Sequence, residues 1–264
     1  MQIRDVLTFL RTFAPPQLSE NWDNTGLLVG REQDDVTAVL TCLTLTPEVA
    51  QEAVARGVQL VVSHHPVLFR PVQRIAGDTA EGAMLLDLIR AGIGVYSPHT
   101  SYDSAREGIN QQWAEAFGLA SICPLRSFGE GGDTDGLGAG RQGLLHNPVR
   151  LEAFVEVVKQ TLGVAHTQYV GEPNRCVQRV AIACGAAAEF MTDAAAQGCD
   201  VLLTGEARFH ACLEARTLDI ALVLPGHYAT ERPAMERLAE ILQHRFPELD
   251  VAASRAETDP IRWA

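Results

Sequence analysis

The sequence predicts an α/β protein: two similar α/β lobes with mostly parallel sheets and a metal site in the cleft between them. Short apolar runs alternate with helix-length amphipathic segments in the first half of the chain, and this alternation is typical of βαβ units with parallel strands. Metal-binding side chains follow directly after several of these runs. Ligands of open α/β sheets bind at the carboxyl ends of strands, so we expect a functional site there.

Capping residues mark the boundaries of the predicted elements. Pro15 and Pro16 end the first helix, Pro47 opens the second, and Gly57 follows its last turn. In order, we predict a helix over 3–13, an apolar run over 27–29, a strand over 36–45, a helix over 47–56, a strand over 58–62, a helix over 80–91 and a strand over 93–97.

The second half of the chain resembles the first. Residues 38–69 align without a gap with residues 179–210, which places Gly57 on Gly198. Chance similarity of βαβ units is the alternative, but the ungapped alignment favours an internal duplication. We therefore predict one lobe from residues 1–125 and about 225–264, and a second lobe from residues 126–224. The glycine-rich segment 127–143 is interpreted as a connection or hairpin at the boundary.

Composition excludes several classes of function. The net charge is -12 with only 21 Lys and Arg residues, so unaided binding to nucleic acid or an anionic membrane is not expected. The first residues fit an amphipathic helix rather than a signal peptide, and no apolar stretch reaches the length of a membrane span. The six cysteines form no CxxC pair, which favours a reduced, cytoplasmic protein.

The adjacent histidines His64 and His65 are the sharpest local feature. Successive side chains of an extended segment point to opposite faces, so both histidines cannot enter one apolar core. A turn after the preceding strand would direct them toward two metal ions. A single buried histidine, by comparison, is usually satisfied by hydrogen bonds and has no further role.

Two further pairs repeat a His-xxx-carboxylate spacing, which places both side chains on one helical face. They are His99 with Asp103 and His227 with Glu231. A helix cap by Asp103 and a solvated Glu231 are the alternatives. Imidazole with carboxylate suits Zn, Fe, Mn, Ni or Co rather than Ca. Two such divalent ions sharing a carboxylate, about 3.5–4 Å apart, would activate water near neutral pH.

The motifs together closely resemble those of the Nif-three-like family, whose members are often labelled GTP cyclohydrolase I type 2 homologues or dinuclear-metal-centre hexameric proteins. The resemblance covers essentially the whole chain in order. The segments that carry it are Trp22–Leu27, Ser63–Pro66, His99–Asp103, Gly138–Gly143, Thr204–Glu206 and Gly226–Glu231.

The resemblance implies a homohexamer of two-lobed α/β subunits with two divalent metal ions per subunit facing the inner cavity. It implies that His99 and His210 lie near the metals as acid/base or supporting residues. The family's usual His-Thr-Asn-Leu-Asp is His-Thr-Ser-Tyr-Asp here, so Ser101 and Tyr102 depart from the pattern. The implied metal ligands are His64, His65, Asp103, His227 and Glu231.

Two loops have open interpretations. Asp23 and Asn24 fit a turn in which their side chains bind their own backbone, and the resemblance places the same loop near the site. Arg141, inside Gly138–Gly143, could contact an anion, but a tight turn into a strand over 143–146 is the favoured interpretation.

Two hypotheses of function follow. The first is a metal-dependent hydrolase of a small molecule, a nucleotide if the family label applies, in which opening of the GTP imidazole ring would release formate. Glu231 or Asp103 would bridge the metals, and His99 would carry a proton. The second is a metal-dependent binding or regulatory protein that acts with a transcription or DNA-repair partner, or a metal-handling protein.

Overall fold

The computed structural model describes residues 1–128 and 137–262. Contacts divide the chain into two compact units: unit 1 contains Met1–Tyr102 and Arg232–Arg262, and unit 2 contains the described part of Asp103–Glu231. This division places 103–125 and 225–231 in unit 2, whereas the sequence analysis placed them in the first lobe. The reason is local packing, since Trp113 Nε1 donates to the carbonyl oxygen of Thr230 at 2.6 Å.

The strands of the described residues are short, as expected for an α/β fold. In chain order they are β1 (Gly26–Val29), β2 (Ala38–Cys42), β3 (Leu60–Ser63), β4 (Gly94–Ser97), β5 (Ala120–Cys123), β6 (Arg126–Ser127), β7 (Gly138–Ala139), β8 (Arg141–Arg150), β9 (Gln168–Val170), β10 (Cys176–Ile182), β11 (Val201–Leu203), β12 (Ala221–Leu224) and β13 (Asp250–Ala253).

The helices alternate with these strands. They are α1 (Ile3–Phe13), α2 (Pro47–Arg56), α3 (Ala80–Arg90), α4 (His99–Ser104), α5 (Ile109–Ala116), α6 (Leu151–Leu162), α7 (Met191–Ala196), α8 (Phe209–Thr217) and α9 (His227–Arg245), with short 3-10 helices at Pro16–Leu18 and Ala188–Phe190. Within the described ranges, no helix combines the length and the apolar character needed to cross a membrane.

Unit 1 is built on a sheet with the strand order β1-β4-β3-β2-β13. Strands β13, β2, β3 and β4 run parallel, and β1 closes one edge in the antiparallel direction. All residues of β2, β3 and β4 are buried, because helices cover the sheet on both faces in folds of this kind. The continuous apolar runs that predicted these strands reflect that burial.

The caps of α2 explain why its predicted bounds are correct. The Thr46 hydroxyl accepts a hydrogen bond from the Val49 backbone N–H, Pro47 occupies the first helical position, and Gly57 ends the helix in the left-handed conformation at φ +62°. A second N-cap, Thr79, begins α3 in the same way.

Unit 2 contains a mixed sheet with the order β5-β8-β10-β11-β12-β9. The central strands β10, β11 and β12 are parallel, whereas β8, β5 and β9 join in the antiparallel direction. The strand predicted over 143–146 is part of the longer β8. In the glycine-rich segment, β6 pairs with β7 as a hairpin would, and its residues 129–136 lie outside the described residues.

The α/β class is confirmed, and the two units share an order of elements. In unit 1, β2, α2, β3, α3 and β4 alternate along the chain, and in unit 2, β10, α7, β11, α8 and β12 do the same. Each series contains neighbouring parallel strands and is followed by a helix that begins with a histidine, His99 or His227. The internal duplication stays a prediction that this common order supports.

Candidate metal centre

Three histidines of unit 1 lie together at the carboxyl ends of two neighbouring strands. His64 and His65 follow β3, and His99 begins the helix after β4. The ring centroids lie 5.2 Å apart for His64 and His65, 5.2 Å for His64 and His99, and 5.7 Å for His65 and His99. One nitrogen from each ring lies within 4.8 Å of the others. This arrangement could hold a metal ion.

Backbone hydrogen bonds fix the turn that carries the histidine pair. The N–H of His64 donates to Cys42 O at 2.9 Å, and the N–H of His65 donates to Leu43 O at 2.8 Å. The Ser97 hydroxyl donates to His64 O at 2.6 Å. The first two bonds continue the β2–β3 pairing past the end of β3, and all three hold the backbone of the histidine pair in place.

His64 is completely buried. A hydrogen bond orients the side chain of His65. Nδ1 of His65 lies 2.8 Å from the hydroxyl oxygen of Thr44. Histidines that bind metals commonly use their second ring nitrogen for such a supporting hydrogen bond. Nε2 of His65 is therefore its candidate ligand atom.

His99 is held by a buried carboxylate that the sequence analysis left as an open case. Nδ1 of His99 lies 2.7 Å from Asp23 Oδ1, and the Thr100 hydroxyl donates to Asp23 Oδ2. Asp23 also accepts from the backbone N–H of Asn24, as the turn interpretation expects for its side chain, and it contacts the histidine cluster through His99. The Asn24 side chain instead donates to Leu68 O. Burial favours a raised pKa for Asp23, but the hydrogen bonds and the charge of His99 outweigh it and lower the pKa.

A second group of candidate ligands lies in unit 2 on the first turn of α9. His227 Nε2 and Glu231 Oε2 are 2.8 Å apart, as the four-residue spacing predicts. His227 Nδ1 lies 3.1 Å from Glu206 Oε1. Burial would lower the pKa of His227, but Glu231 and then Glu206 raise it to about 9. A cation at this position is therefore favoured by the surrounding charges.

Two glycines make room for this pair. A Cβ atom at Gly185 would collide with Oε1 of Glu231, and a Cβ atom at Gly205 would lie 2.8 Å from the Cα atom of His227. Any larger residue would displace the helix turn or the carboxylate. Gly205 lies in the Thr-Gly-Glu motif, so its close approach explains why that motif has glycine there.

Asp103 is positioned by two residues that sequence reasoning missed. The thiol of Cys184 donates to Asp103 Oδ1 at 3.3 Å, and Asn110 Nδ2 donates to Asp103 O at 3.1 Å. Asn110 also accepts from the Cys184 N–H at 2.8 Å. Burial, followed by the charges of Asp103 and Glu231, raises the pKa of Cys184, so it stays a thiol. Its sequence neighbours Ile182 and Ala183 are apolar and give no sign of this contact.

The remaining predicted residues have different surroundings. His210 lies exposed on α8, with its ring centroid 6.1 Å from that of Phe209, and its acid/base role stays a prediction. At the departures from the family pattern, Ser101 donates to Pro98 O and Tyr102 donates to Ala234 O at 3.2 Å. The Tyr102 ring also packs edge-on to His64 at 6.4 Å, so this substitution shapes the wall of the histidine cluster.

Arg141 serves the fold. Its side chain is 1% exposed, and Nη1 donates to Gly138 O and Gly140 O at 2.6 and 2.7 Å. Nη2 donates to Ala105 O at 2.7 Å and Nε to Gln111 Oε1 at 2.8 Å. Burial lowers the pKa of Arg141 to about 10, which leaves it charged at neutral pH. The tight-turn interpretation is therefore favoured over an anion contact.

The fold and these side chains define an α/β protein with imidazole and carboxylate groups at the carboxyl ends of its parallel strands. Such a donor set fits first-row divalent metals. The chain belongs to the Duf34/NIF3 (NGG1p interacting factor 3) family, which it matches over residues 1–260.

Relatives and solved structures agree with this assignment. The chain is 29% identical to the "GTP cyclohydrolase 1 type 2 homolog" of Clostridium perfringens over 264 residues, covering 100% of both chains. It is 33% identical to the protein of the same name from Nostoc sp. over 247 residues, covering 92% of each. Its fold matches a Bacillus cereus protein related to NIF3 with a TM-score of 0.92 at 23% identity, covering 100% of this chain and 99% of that one.

Proposed function

We propose that this protein binds two divalent metal ions and is a metal-dependent hydrolase of a small molecule. The observation that carries the proposal is the convergence of His64, His65 and His99, with ligand atoms within 4.8 Å of one another. Imidazole nitrogens that lie this close together can donate their lone pairs to one metal ion. Zn, Fe, Mn, Ni and Co are the ions that suit imidazole ligands.

The ligand set of the proposal contains His64 and His65 from unit 1 and Asp103, His227 and Glu231 from unit 2. Both groups follow strands of their own sheet, and the common order of elements supports an origin by duplication. A homohexameric assembly is part of the same proposal and rests on the family resemblance.

Each supporting residue has a defined part in this proposal. Bound divalent ions would supply Lewis-acid stabilisation of developing negative charge and a more acidic water. Asp23 fixes Nδ1 of His99, and Nε2 is the atom that we propose holds or transfers a proton or acts as a further ligand. Glu206 orients His227 through Nδ1, and Cys184 orients Asp103. Mutation of such supporting groups typically costs ~10–100-fold in metal affinity or activity.

The substrate class that we propose to test first is the nucleotides. Relatives from two organisms carry the name "GTP cyclohydrolase 1 type 2 homolog", and a ring-opening hydrolysis would fit a metal-dependent hydrolase. The described residues contain no glycine-rich phosphate-binding loop of the P-loop kind, so phosphate contacts would have to come from elsewhere.

The test combines metal analysis with turnover. Purified protein should contain close to two divalent ions per chain and hydrolyse at least one member of a panel of nucleotides and phosphoesters. His64→Ala and Glu231→Ala should lose metal and activity together. His146→Ala removes an exposed histidine of β8 and should change neither. Activity that survives both ligand substitutions would overturn the hydrolase proposal.

The family description, "NGG1p interacting factor 3", favours a second candidate function, a metal-dependent binding or regulatory protein. This function predicts tight metal binding, no turnover on any panel member, and partner binding that is lost with the metal. A metal-handling protein would instead release its ions readily to a chelator. Rates of metal release and of turnover, measured on the same preparation, separate the three.

A further inference from the structure

Two exposed aromatic rings lie directly beside the histidine cluster. Trp22 is 58% exposed and Phe69 is 45% exposed. Their ring centroids lie 6.0 Å apart, and they lie 6.0 and 6.4 Å, respectively, from the ring of His99. Large aromatic side chains in water lose the favourable burial that they usually gain. A pair of them at a candidate catalytic centre is therefore a feature that the metal ligands do not explain.

Hydrogen bonds tie both rings to the centre. Asn24 Nδ2 donates to Leu68 O at 2.6 Å, which joins the loop of Trp22 to the loop of Phe69. Asp23, next to Trp22, binds His99 at 2.7 Å. The chain segments that carry both rings are therefore held near His99 by contacts of their immediate neighbours, and the rings themselves are exposed.

The geometry distinguishes between possible ligands. Trp22 and Phe69 meet at an interplanar angle of 71°, and they meet His99 at 74° and 90°. Rings packed edge to face at these distances enclose no space for a cation among them, as a cage for an ammonium group would require. Because both side chains are exposed, a planar ring can instead stack on the face of one of them and meet the other edge-on.

We propose that Trp22 and Phe69 form a stacking subsite for the planar, nitrogen-containing aromatic ring of a small substrate, such as a nucleobase. This inference rests on the proposed function for the centre that the ligand enters, and it names the part of the substrate that is recognised. Stacking on a protein aromatic ring contributes ~1–3 kcal/mol per base and tolerates different bases. The subsite therefore distinguishes ligands that contain an aromatic ring from ligands that do not. Among ligands with such a ring, the reaction at the metal centre decides which one is the substrate.

Equilibrium binding tests the subsite without turnover. The metal-loaded full chain is titrated with guanosine 5′-monophosphate and with ribose 5-phosphate, which lacks the ring, by calorimetry. The nucleotide should bind more tightly than the sugar phosphate. Trp22→Ala and Phe69→Ala should each weaken nucleotide binding by about 5- to 100-fold. Ribose 5-phosphate binding and metal content should stay unchanged.

Conservative and control variants separate stacking from a structural effect. Trp22→Phe and Phe69→Tyr keep a ring and should restore most of the nucleotide affinity. Tyr169→Ala removes a ring that is 41% exposed on β9 and should have no effect. Equal binding of both ligands, no measurable nucleotide binding, or unaltered affinity in both alanine variants would overturn the proposal.

Two further results distinguish the underlying proposals. If Trp22→Ala changes only the oligomeric state in size-exclusion chromatography, the rings form a contact between copies and the subsite is wrong. If His64→Ala loses metal and turnover while ring-dependent binding persists, both proposals are supported. If the parent chain takes up no metal in elemental analysis but still shows ring-dependent binding, the subsite is supported and the metal-dependent hydrolase is overturned.

Discussion

At the scale of single residues, buried polar contacts decide what the functional side chains can do. The sequence identifies His99 as a candidate, but only the structure shows that its Nδ1 is engaged by Asp23, a residue 76 positions away. The same applies to Asp103 and Cys184, which are 81 positions apart. Side chains that orient one another over such separations leave no local spacing to recognise.

Removing the charge of Asp23 should impair the centre without unfolding it. Asp23→Asn keeps the shape of the side chain but removes the negative charge that pairs with Nδ1 of His99. We therefore expect a loss of about 10–100-fold in activity or metal affinity. Asp78→Asn, on an exposed loop, is the control. Activity of Asp23→Asn within twofold of the parent across the pH range would contradict the orienting role.

Arg141 should matter for stability rather than for ligand binding. Arg141→Gln leaves several buried carbonyl groups without their donor, and each such group costs ~1–3 kcal/mol. We expect the free energy of unfolding to fall by ~3 kcal/mol in urea titrations. Arg150→Gln at the exposed end of β8 should change it little. A stable Arg141→Gln protein with weakened phosphate binding would restore the anion interpretation.

At the scale of elements, close approach and tertiary hydrogen bonds determine how strands and helices present the site. The bounds of α2 follow from its own caps and were predicted from sequence. Only residues 143–146 of β8 are predicted as a strand. The full length of β8 and its antiparallel pairing with β5 and β10 are not predicted, because pairing of distant strands depends on contacts that periodicity does not encode. The need for glycine after β10 and β11, at Gly185 and Gly205, likewise becomes visible only when α9 is packed against them.

The glycine after β10 should be required for the carboxylate of α9. Gly185→Ala places a methyl group against Glu231 at a backbone φ of +68°. Gly198→Ala is a matched control, since its φ is +71° but nothing lies within 4 Å of the added Cβ. Both variants should lose the same small amount of stability from backbone strain, whereas Gly185→Ala alone should lose metal content. Equal metal content would contradict the steric role.

Acid should weaken the attachment of α2 to the segment after β13. Glu52 accepts from the Ser254 hydroxyl and from the backbone N–H groups of Arg255 and Ala256. Burial opposes ionisation of Glu52, but these bonds and Arg56 lower its pKa. A lowered folded-state pKa stabilises the protein above the pKa of the unfolded carboxyl, and this stability is lost as pH falls through the folded-state value.

The corresponding measurement is thermal unfolding between about pH 7 and pH 3, since the unfolded reference pKa of Glu is ~4.3. Glu52→Gln should be less stable than the parent at neutral pH and should approach it at low pH. Glu81→Gln, exposed at the start of α3, serves as the control. A constant difference between Glu52→Gln and the parent over the whole range would exclude the ionised hydrogen-bond network.

At the scale of the whole molecule, the two units repeat one order of strands and helices. Each has a parallel core of β2-β3-β4 or β10-β11-β12, with a histidine-initiated helix after its last strand. A duplication would explain why candidate ligands follow strands in both units. The candidate ligands differ between the two series, since the sequence alignment places Gly205 and Glu206 at the position of His64 and His65.

Metal removal should lower the stability of the protein. An ion that binds only the folded chain stabilises it by ~2.7 kcal/mol at a concentration 100 times its dissociation constant. The metal-loaded protein should therefore unfold at a higher temperature than the chelator-treated protein. His64→Ala and His227→Ala, one from each unit, should both reduce this difference. If either variant kept the full difference, the proposal that its histidine binds a metal ion would be wrong.

The sequence by itself determined the α/β class, the bounds of helices such as α2, and the candidate ligands His64 and His65, because capping, periodicity and adjacent residues are local properties. The tertiary structure decided which distant groups contact the other candidate site residues, namely Asp23 for His99 and Cys184 for Asp103. It also revealed the exposed pair of Trp22 and Phe69 beside His99. These features depend on the folded positions of separate loops, where burial makes each polar contact energetically significant.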